Sequence, residues 1–332
     1  MKIGIVGVHY GHISEMIRTT RTASNAEIVG IVEPDDTLYR QYNEESALTR
    51  YESLESMLSE SRPEVVMEGL GHHEKLDVIK TCANAGVHVL LDKPLCRTIE
   101  EWHQIDQAIT SGGIKLTMNF TSRSYPPFIA LREAILAGEL GEIVSLISTH
   151  PHKLYDSAPD FYFDPKRYVG TFNDVASHGV DQIRWLTGAE CVGVHAYGTC
   201  MKHKAPRCFD MDHIQASYKL SSGAGAVITA DWLTPEKSPS FGDTRFILMG
   251  TRGSAHLRAY ADDGLLIVSD SKGAYEPEFS TKSHGNFIYN MIEAFEKEAE
   301  NFISTNDVMA VAKATVMAEE SARRGGEFLK IE

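Results

Sequence analysis

The 332-residue chain has no C-x-x-C pair among its five cysteines (Cys82, Cys96, Cys191, Cys200 and Cys208), and their number is odd. Such spacing excludes a small disulfide scaffold and reads as the reduced thiols of a cytoplasmic protein. No run approaches the roughly 20 apolar residues of a membrane span. The first residues hold no apolar stretch of signal length before His9 and His12 interrupt it. Positive charge is scarce: 32 Lys plus Arg stand against 46 Asp plus Glu, a net charge of −14. That balance argues against nucleic acid or an anionic membrane as partner. It leaves room for an anionic cofactor held by backbone N–H groups at a helix start. Internal repeats and low-complexity linkers are also lacking. His150 and His152 lie close together, but no His or Cys cluster has metal-ligand spacing, so no metal is expected.

What is present in the first third is alternation. The segments KIGIVG, EIVGIV, EVVMEGL, VHVLLD and IKLTMNF read as strands, and the stretches between them as helices of 10–15 residues. Parallel strands need such crossovers, so this part is expected to be a doubly wound parallel sheet, a Rossmann domain over 1–120. The remainder, 121–332, reads as an α+β domain. It holds the helix PPFIALREAILAG, an aromatic- and Pro-rich loop, a helix ending RWLTG and a run of long strands from Val192 to Ser269. Turns at SSGAG, MGTRGSA and ADDGL make that sheet mainly antiparallel. FIYNMIEAFEKEAENFI and DVMAVAKATVMAEESARR read as two closing helices.

Three places carry candidate chemistry. The turn after the first strand reads Gly7-Val8-His9-Tyr10-Gly11-His12, with histidines at the second and third glycine positions of G-x-G-x-x-G. This loop alone does not separate a phosphate cradle from a plain strand-to-helix turn. The second place is Asp92-Lys93-Pro94, which leaves the carboxyl end of the fourth strand, the edge where open α/β sheets bind ligands. Pro94 keeps Lys93 out of helical geometry, although a lone lysine after a strand is more often a solvated loop residue. The third is a helix on which Asp174, His178, Asp181 and Trp185 share one stripe, opposite Ala176, Val180, Ile183 and Leu186. A solvated polar face would explain an Asp-x-x-x-His pair, but Trp185 does not suit one. An Asp one turn before a His orients the imidazole and suits it to acid–base work.

The order of these elements resembles the Gfo/Idh/MocA family, which includes glucose–fructose oxidoreductase and inositol dehydrogenase. A glycine turn comes first, then [ED]-K-P after the fourth strand, then G-x(3)-D-x(3)-H-x(2)-D, here Gly170 to Asp181. The stretches PEVVMEGLGHHEKLDVIKTCANAGVHVLLDKPLC and ALREAILAGELGEIVSL follow the family's pattern. Departures are the two loop histidines, Leu70-Gly71-His72 in place of T-P-N, Lys75 where relatives commonly have His, and Asp92 for Glu. The resemblance implies an NAD(P)-dependent oxidoreductase acting on a sugar, polyol or related hydroxy compound. It also implies a homodimer or homotetramer formed through the second domain's sheet, and a cis Lys93–Pro94 peptide. Lys93, Asp174 and His178 are the expected catalytic residues.

The expected cofactor set is Gly7, Val8, His9, Tyr10, Gly11, His12, Glu33, Leu70, Gly71, His72, Asp92, Lys93, Pro94 and Asn119. The expected substrate set is Lys93, Arg123, His150, Asp174 and His178. NAD is expected over NADP. Glu33 ends the second strand, where a carboxylate accepts from a ribose 2′-hydroxyl and repels a 2′-phosphate. Asp35 adds charge of the same sign, and no Lys or Arg follows before Arg40. Two alternatives stay open: an enzyme of similar build that recycles bound NAD as a glycosidase or lyase, and a cofactor-binding sensor without catalysis.

Overall fold

The computed structural model describes residues 1–9, 12–43, 48–156, 158–204, 209–279, 291–292, 295 and 303–332. The chain forms two compact units, Met1–Asn119 with Gly285–Met309, and Phe120–His284 with Ala310–Glu332.

In the first unit five parallel strands are ordered β2-β1-β3-β4-β5. They are β1 (Lys2–Val6), β2 (Glu27–Val32), β3 (Val65–Glu68), β4 (His88–Leu91) and β5 (Leu116–Met118). The apolar residues of β1, β3, β4 and β5 are buried, as expected of a sheet covered on both faces, while those of the edge strand β2 are only partly so. The helices are α1 (Ile13–Thr22), α2 (Asp36–Asn43), α3 (Leu54–Glu60), α4 (Lys75–Ala85) and α5 (Ile99–Gly112). The helix α3 was not anticipated. It has only seven residues but starts at a reciprocal cap between Ser53 and Ser56.

The first unit also takes in a late part of the chain, up to Met309 in the first turn of the last helix. Thr305 Oγ1 accepts from Leu116 N at 2.9 Å and donates to Leu116 O at 3.1 Å, while Thr117 Oγ1 donates to Ile303 O. The edge strand β5 therefore has its open side covered by 303–305, a pairing that chain order does not reveal. The stretch FIYNMIEAFEKEAENFI lies largely outside the described residues.

The second unit holds a nine-stranded sheet, ordered β13-β12-β11-β10-β6-β9-β8-β7-β14. The strands are β6 (Ile143–Pro151), β7 (Cys191–Thr199), β8 (His213–Leu220), β9 (Gly225–Asp231), β10 (Thr244–Gly250), β11 (Gly253–Ala259), β12 (Gly264–Ser269), β13 (Gly273–Tyr275) and β14 (Leu329–Lys330). All neighbours are antiparallel except β6 and β9. The helices among the described residues are α6 (Pro126–Leu136), α7 (Thr171–Thr187) and, from Ala310 on, α8 (Thr305–Arg323). Ile214, Ala216, Tyr218 and Leu220 alternate with exposed residues along β8, so one face of the sheet is buried. The other face leaves Ile147, Tyr197, Met249, Leu266 and Val268 exposed.

Candidate active site

The carboxyl edge of the parallel sheet is built where β1 lies between β2 and β3, the reversal point at which such sheets bind ligands. Gly7 has φ +69°, and a Cβ there would meet Leu70 Cδ2 at 2.2 Å, so only glycine fits. The turn is tied to both neighbouring strands. Gly7 N donates to Val32 O at 2.9 Å and His9 N to Gly69 O at 2.8 Å. Tyr10 and Gly11 lie outside the described residues. The helix α1 starts just after this turn, with His12 as its N-cap and no side-chain cap, and a helix start is where a pyrophosphate is commonly held.

Each loop histidine is paired with a carboxylate from another strand end. His9 Nε2 lies 3.2 Å from Glu33 Oε1, and Val8 N donates to Glu33 Oε2 at 3.0 Å. Asp35 N completes the set on Glu33 at 2.9 Å. Burial pushes the Glu33 carboxyl up, but these hydrogen bonds more than offset it and hold the group below the usual range. The hydrogen bond to Glu33 in turn raises the His9 imidazole above its ordinary value. Glu33 is therefore less open to a ribose than its position in the sequence suggests, with three acceptor sites already used. Its charge remains.

His12 Nδ1 lies 3.0 Å from Asp92 Oδ1, which also accepts from Lys93 N at 2.8 Å. Burial pushes the Asp92 carboxyl up, and the charges of His12, Lys75 and Lys93 bring it below the usual range. Asp92 Oδ2 is buried with no hydrogen-bond partner among the described residues. Lys93 itself is buried, and its peptide bond to Pro94 is cis, as expected. Leu70 N donates to Glu68 Oε1 at 2.6 Å and Gly71 N to Glu74 Oε2 at 3.2 Å, while His72 is buried. Asn119 N, after β5, donates to Leu91 O at 3.0 Å.

Sequence reasoning did not assign a part to Lys75. It is 1% exposed, and its Nζ donates to Glu68 Oε2 at 2.6 Å and Asp92 O at 2.7 Å, tying the ends of β3 and β4 together. A lysine early in an amphipathic helix normally reads as solvated, so only the departure from the family's His marked it.

In the second unit α7 is buried almost all round. The solvated-face reading fails, since Asp174 and Asp181 are both 0% exposed, while His178 and Trp185 reach solvent in part. Ala176, Val180, Ile183 and Leu186 are in the core as expected. Asp181 is held by Arg123, whose Nε donates to Oδ2 at 2.9 Å within a buried ion pair. That pair engages the Nε and Nη2 edge of the guanidinium with Asp181. Arg132 covers Trp185, with its guanidinium 4.5 Å from the ring centroid.

Asp174 Oδ2 accepts from the Tyr168 hydroxyl at 3.1 Å, and the Phe120 ring stands edge-on to His178 at 5.9 Å. His150 packs against α7 at Gly179, where a Cβ would meet its Nε2 at 2.4 Å. Burial pushes this imidazole down to about 3, so it is neutral, and its Nε2 lies 3.2 Å from Ser148 Oγ. Among the described residues no His, Cys, Asp and Glu group suits a metal ion.

Residues 1–120 match the oxidoreductase family with an NAD-binding Rossmann fold, and residues 128–256 match the GFO/IDH/MocA C-terminal domain. The chain belongs to this oxidoreductase family, and its first domain is an NAD(P)-binding Rossmann domain. It is 28% identical over 265 residues to inositol 2-dehydrogenase of Rhizobium meliloti, covering 77% of this chain and 76% of that one. It is 27% identical to D-xylose 1-dehydrogenase (NADP(+)) 2 of Haloferax volcanii, covering 71% of each chain. The solved structure of a levoglucosan dehydrogenase in complex with NADH superposes with a TM-score of 0.87 at 19% identity, covering 100% of this chain and 99% of that one. Among the described residues no helix is long and apolar enough to cross a membrane.

Proposed function

We propose that the protein is an NAD-dependent dehydrogenase of a carbinol group on a sugar, a polyol such as an inositol, or a related hydroxy compound. Nicotinamide dinucleotide, when bound, supplies the hydride acceptor. The protein's residues manage the hydroxyl proton. His178 takes it as general base, Asp174 orients the imidazole and stabilises its charged form, and Lys93 polarises the oxygen. Gly7, the start of α1, Glu33 and the segment Leu70–His72 hold the dinucleotide. His150, being neutral, offers the substrate a hydrogen-bonding group without charge.

The observation that carries this reading is the state of α7. A fully buried carboxylate precedes, by one turn, a histidine that is among the few side chains of the helix reaching solvent. A sensor has no need of that arrangement. Cofactor binding is assigned to the first domain, and substrate binding and self-association to the second, whose open sheet face is partly apolar. Four cysteines are free among the described residues, which suits the cytoplasm.

The test is a screen for net NADH formation with inositols, D-xylose, D-glucose and sugar acids, followed by His178→Ala, Lys93→Ala and Asp174→Asn on the best substrate. His178→Ala should lose ~10²–10⁴ in turnover with little change in the dissociation constant for NAD. Lys93→Ala should be comparably damaging and Asp174→Asn less so, with effects that do not add. Unchanged turnover in His178→Ala would remove the catalytic assignment. NAD that is bound but never reduced in net would move the protein to the recycling class.

A further inference from the structure

Asp174 does not stand alone in the protein interior. The Tyr168 hydroxyl that donates to it also accepts from Trp232 Nε1 at 3.0 Å. An indole N–H can only donate, and an ionised carboxylate can only accept. With one lone pair of the hydroxyl occupied by the indole, the single phenolic proton is directed to Asp174. The chain of donors therefore runs one way, from Trp232 to Tyr168 to Asp174. Burial, with the charge of Asp174 next, pushes the Tyr168 phenol well above its ordinary range, so it keeps that proton at any working pH.

Both rings are fixed in place. Tyr162 packs on Tyr168 at 5.0 Å and on Trp232 at 5.7 Å, and Phe209 lies parallel to Trp232 at 6.0 Å. Trp232 N donates to Asp212 O at 3.0 Å, which anchors the backbone beneath the indole. Tyr168 and Trp232 are each less than a tenth exposed. A buried hydrogen bond this well held serves either packing or the carboxylate it meets. Charge-assisted hydrogen bonds are roughly twice as strong as neutral ones, and this one ends on a residue one turn from the candidate base.

We propose that Tyr168, held by Trp232, is a positioning residue for the dehydrogenation: it locks the Asp174 carboxylate as an oriented anion whose charge acts on His178. This rests on the reading of His178 as the base. Tyr168 touches neither substrate nor cofactor in this role.

The experiment measures kcat and KM with NAD and the best of myo-inositol, D-xylose and D-glucose for Tyr168→Phe, His178→Ala and the double variant. Tyr168→Phe keeps the ring and removes one hydroxyl. It should lower kcat roughly ten- to a hundredfold, the worth of a hydrogen bond to a charged group, with KM and the NAD dissociation constant within about twofold. In the His178→Ala background the same change should cost less than about twofold, because its route to the chemistry is gone. A merely structural role would give equal losses in both backgrounds, and that result overturns the proposal. So does a kcat within twofold of the parent for Tyr168→Phe when His178→Ala is badly impaired. If Tyr168→Phe does not fold, Trp232→Phe takes its place, keeping the tyrosine but releasing its donor. A severalfold loss of kcat is then expected, and an unchanged kcat refutes the idea. Intact turnover in His178→Ala, or no turnover with any of the three substrates, sinks the dehydrogenase reading itself, and the proposal falls with it.

Discussion

Replacing Glu319 by glutamine should make the protein more stable at neutral and alkaline pH, although it removes a hydrogen-bonded carboxylate. Glu319 lies on α8, is 1% exposed, and its Oε1 accepts from Phe172 N at 2.7 Å and Asn173 N at 3.4 Å. It thereby caps α7, whose own N-cap, Gly170, has no side chain to do so. A Cβ at Gly170 would meet the Glu319 carboxyl at 2.4 Å, so glycine there is what admits the cap. Burial is the largest influence and pushes Glu319 from 4.5 up to about 7, against the charge of Arg323 and the two backbone donors. At about 1.4 kcal/mol per pH unit, that shift makes the ionised form cost about 3 kcal/mol in the folded state.

The sign follows from which state holds the proton. Between about 4.5 and 7 the folded chain keeps a proton that the unfolded chain has released. The stability Glu319 contributes is complete below that window, declines as pH rises through it, and is gone above. Glutamine imitates the protonated acid at every pH. The gain of Glu319→Gln over the parent should be small at pH 5 and approach ~3 kcal/mol by pH 8, on the order of 6–12 °C in melting temperature for a domain of this size. Arg323 is 42% exposed, so losing its partner costs little. Thermal melts from pH 5 to 9 suit the test, followed by circular dichroism and by tryptophan emission, since Trp185 and Trp232 belong to the second unit. A variant less stable than the parent across that range would refute the reasoning. It would mean that the negative charge at the start of α7 outweighs its burial.

Much of this architecture was legible because local pattern and global fold agree. Continuous apolar strands separated by helices left little alternative to a parallel sheet, and the glycine turn and the D-K-P step both fell at the carboxyl ends of its strands. What could not be read depends on distant partners. A helical wheel places Asp181 beside His178, but not Arg123 against it from 58 residues away. The loop histidines looked like defects in a glycine motif until Glu33 and Asp92, 24 and 80 residues on, appeared beside them. Burial decides the chemistry of Asp174, Lys75 and Glu319, and a polar letter in an amphipathic pattern reads as exposed. The return of 303–305 to cover β5 needs knowledge of a bare edge, which belongs to the folded sheet alone.

The exposed apolar residues of the open sheet face, Ile147, Tyr197, Met249, Leu266 and Val268, need a cover, and a second copy of the chain is expected to provide it. Light scattering at micromolar concentration should therefore give a multiple of 36.8 kDa, and a monomer mass would refute this. The last expectation concerns cofactor choice. Glu33 should favour NAD over NADP by repelling a 2′-phosphate, but His9 stands against it at 3.2 Å and masks that charge when protonated. Glu33 holds the His9 imidazole above its ordinary range, so discrimination should be weak at pH 6 and strengthen as pH rises through the raised value. His9→Ala should keep the high-pH preference at every pH, and Glu33→Gln should lose it. Dissociation constants for NADH and NADPH, from nicotinamide fluorescence at pH 6 to 9, check this without any substrate. An NADPH-to-NADH ratio that stays constant with pH in the parent protein would mean that the His9–Glu33 pair does not set the choice, whichever cofactor binds more tightly.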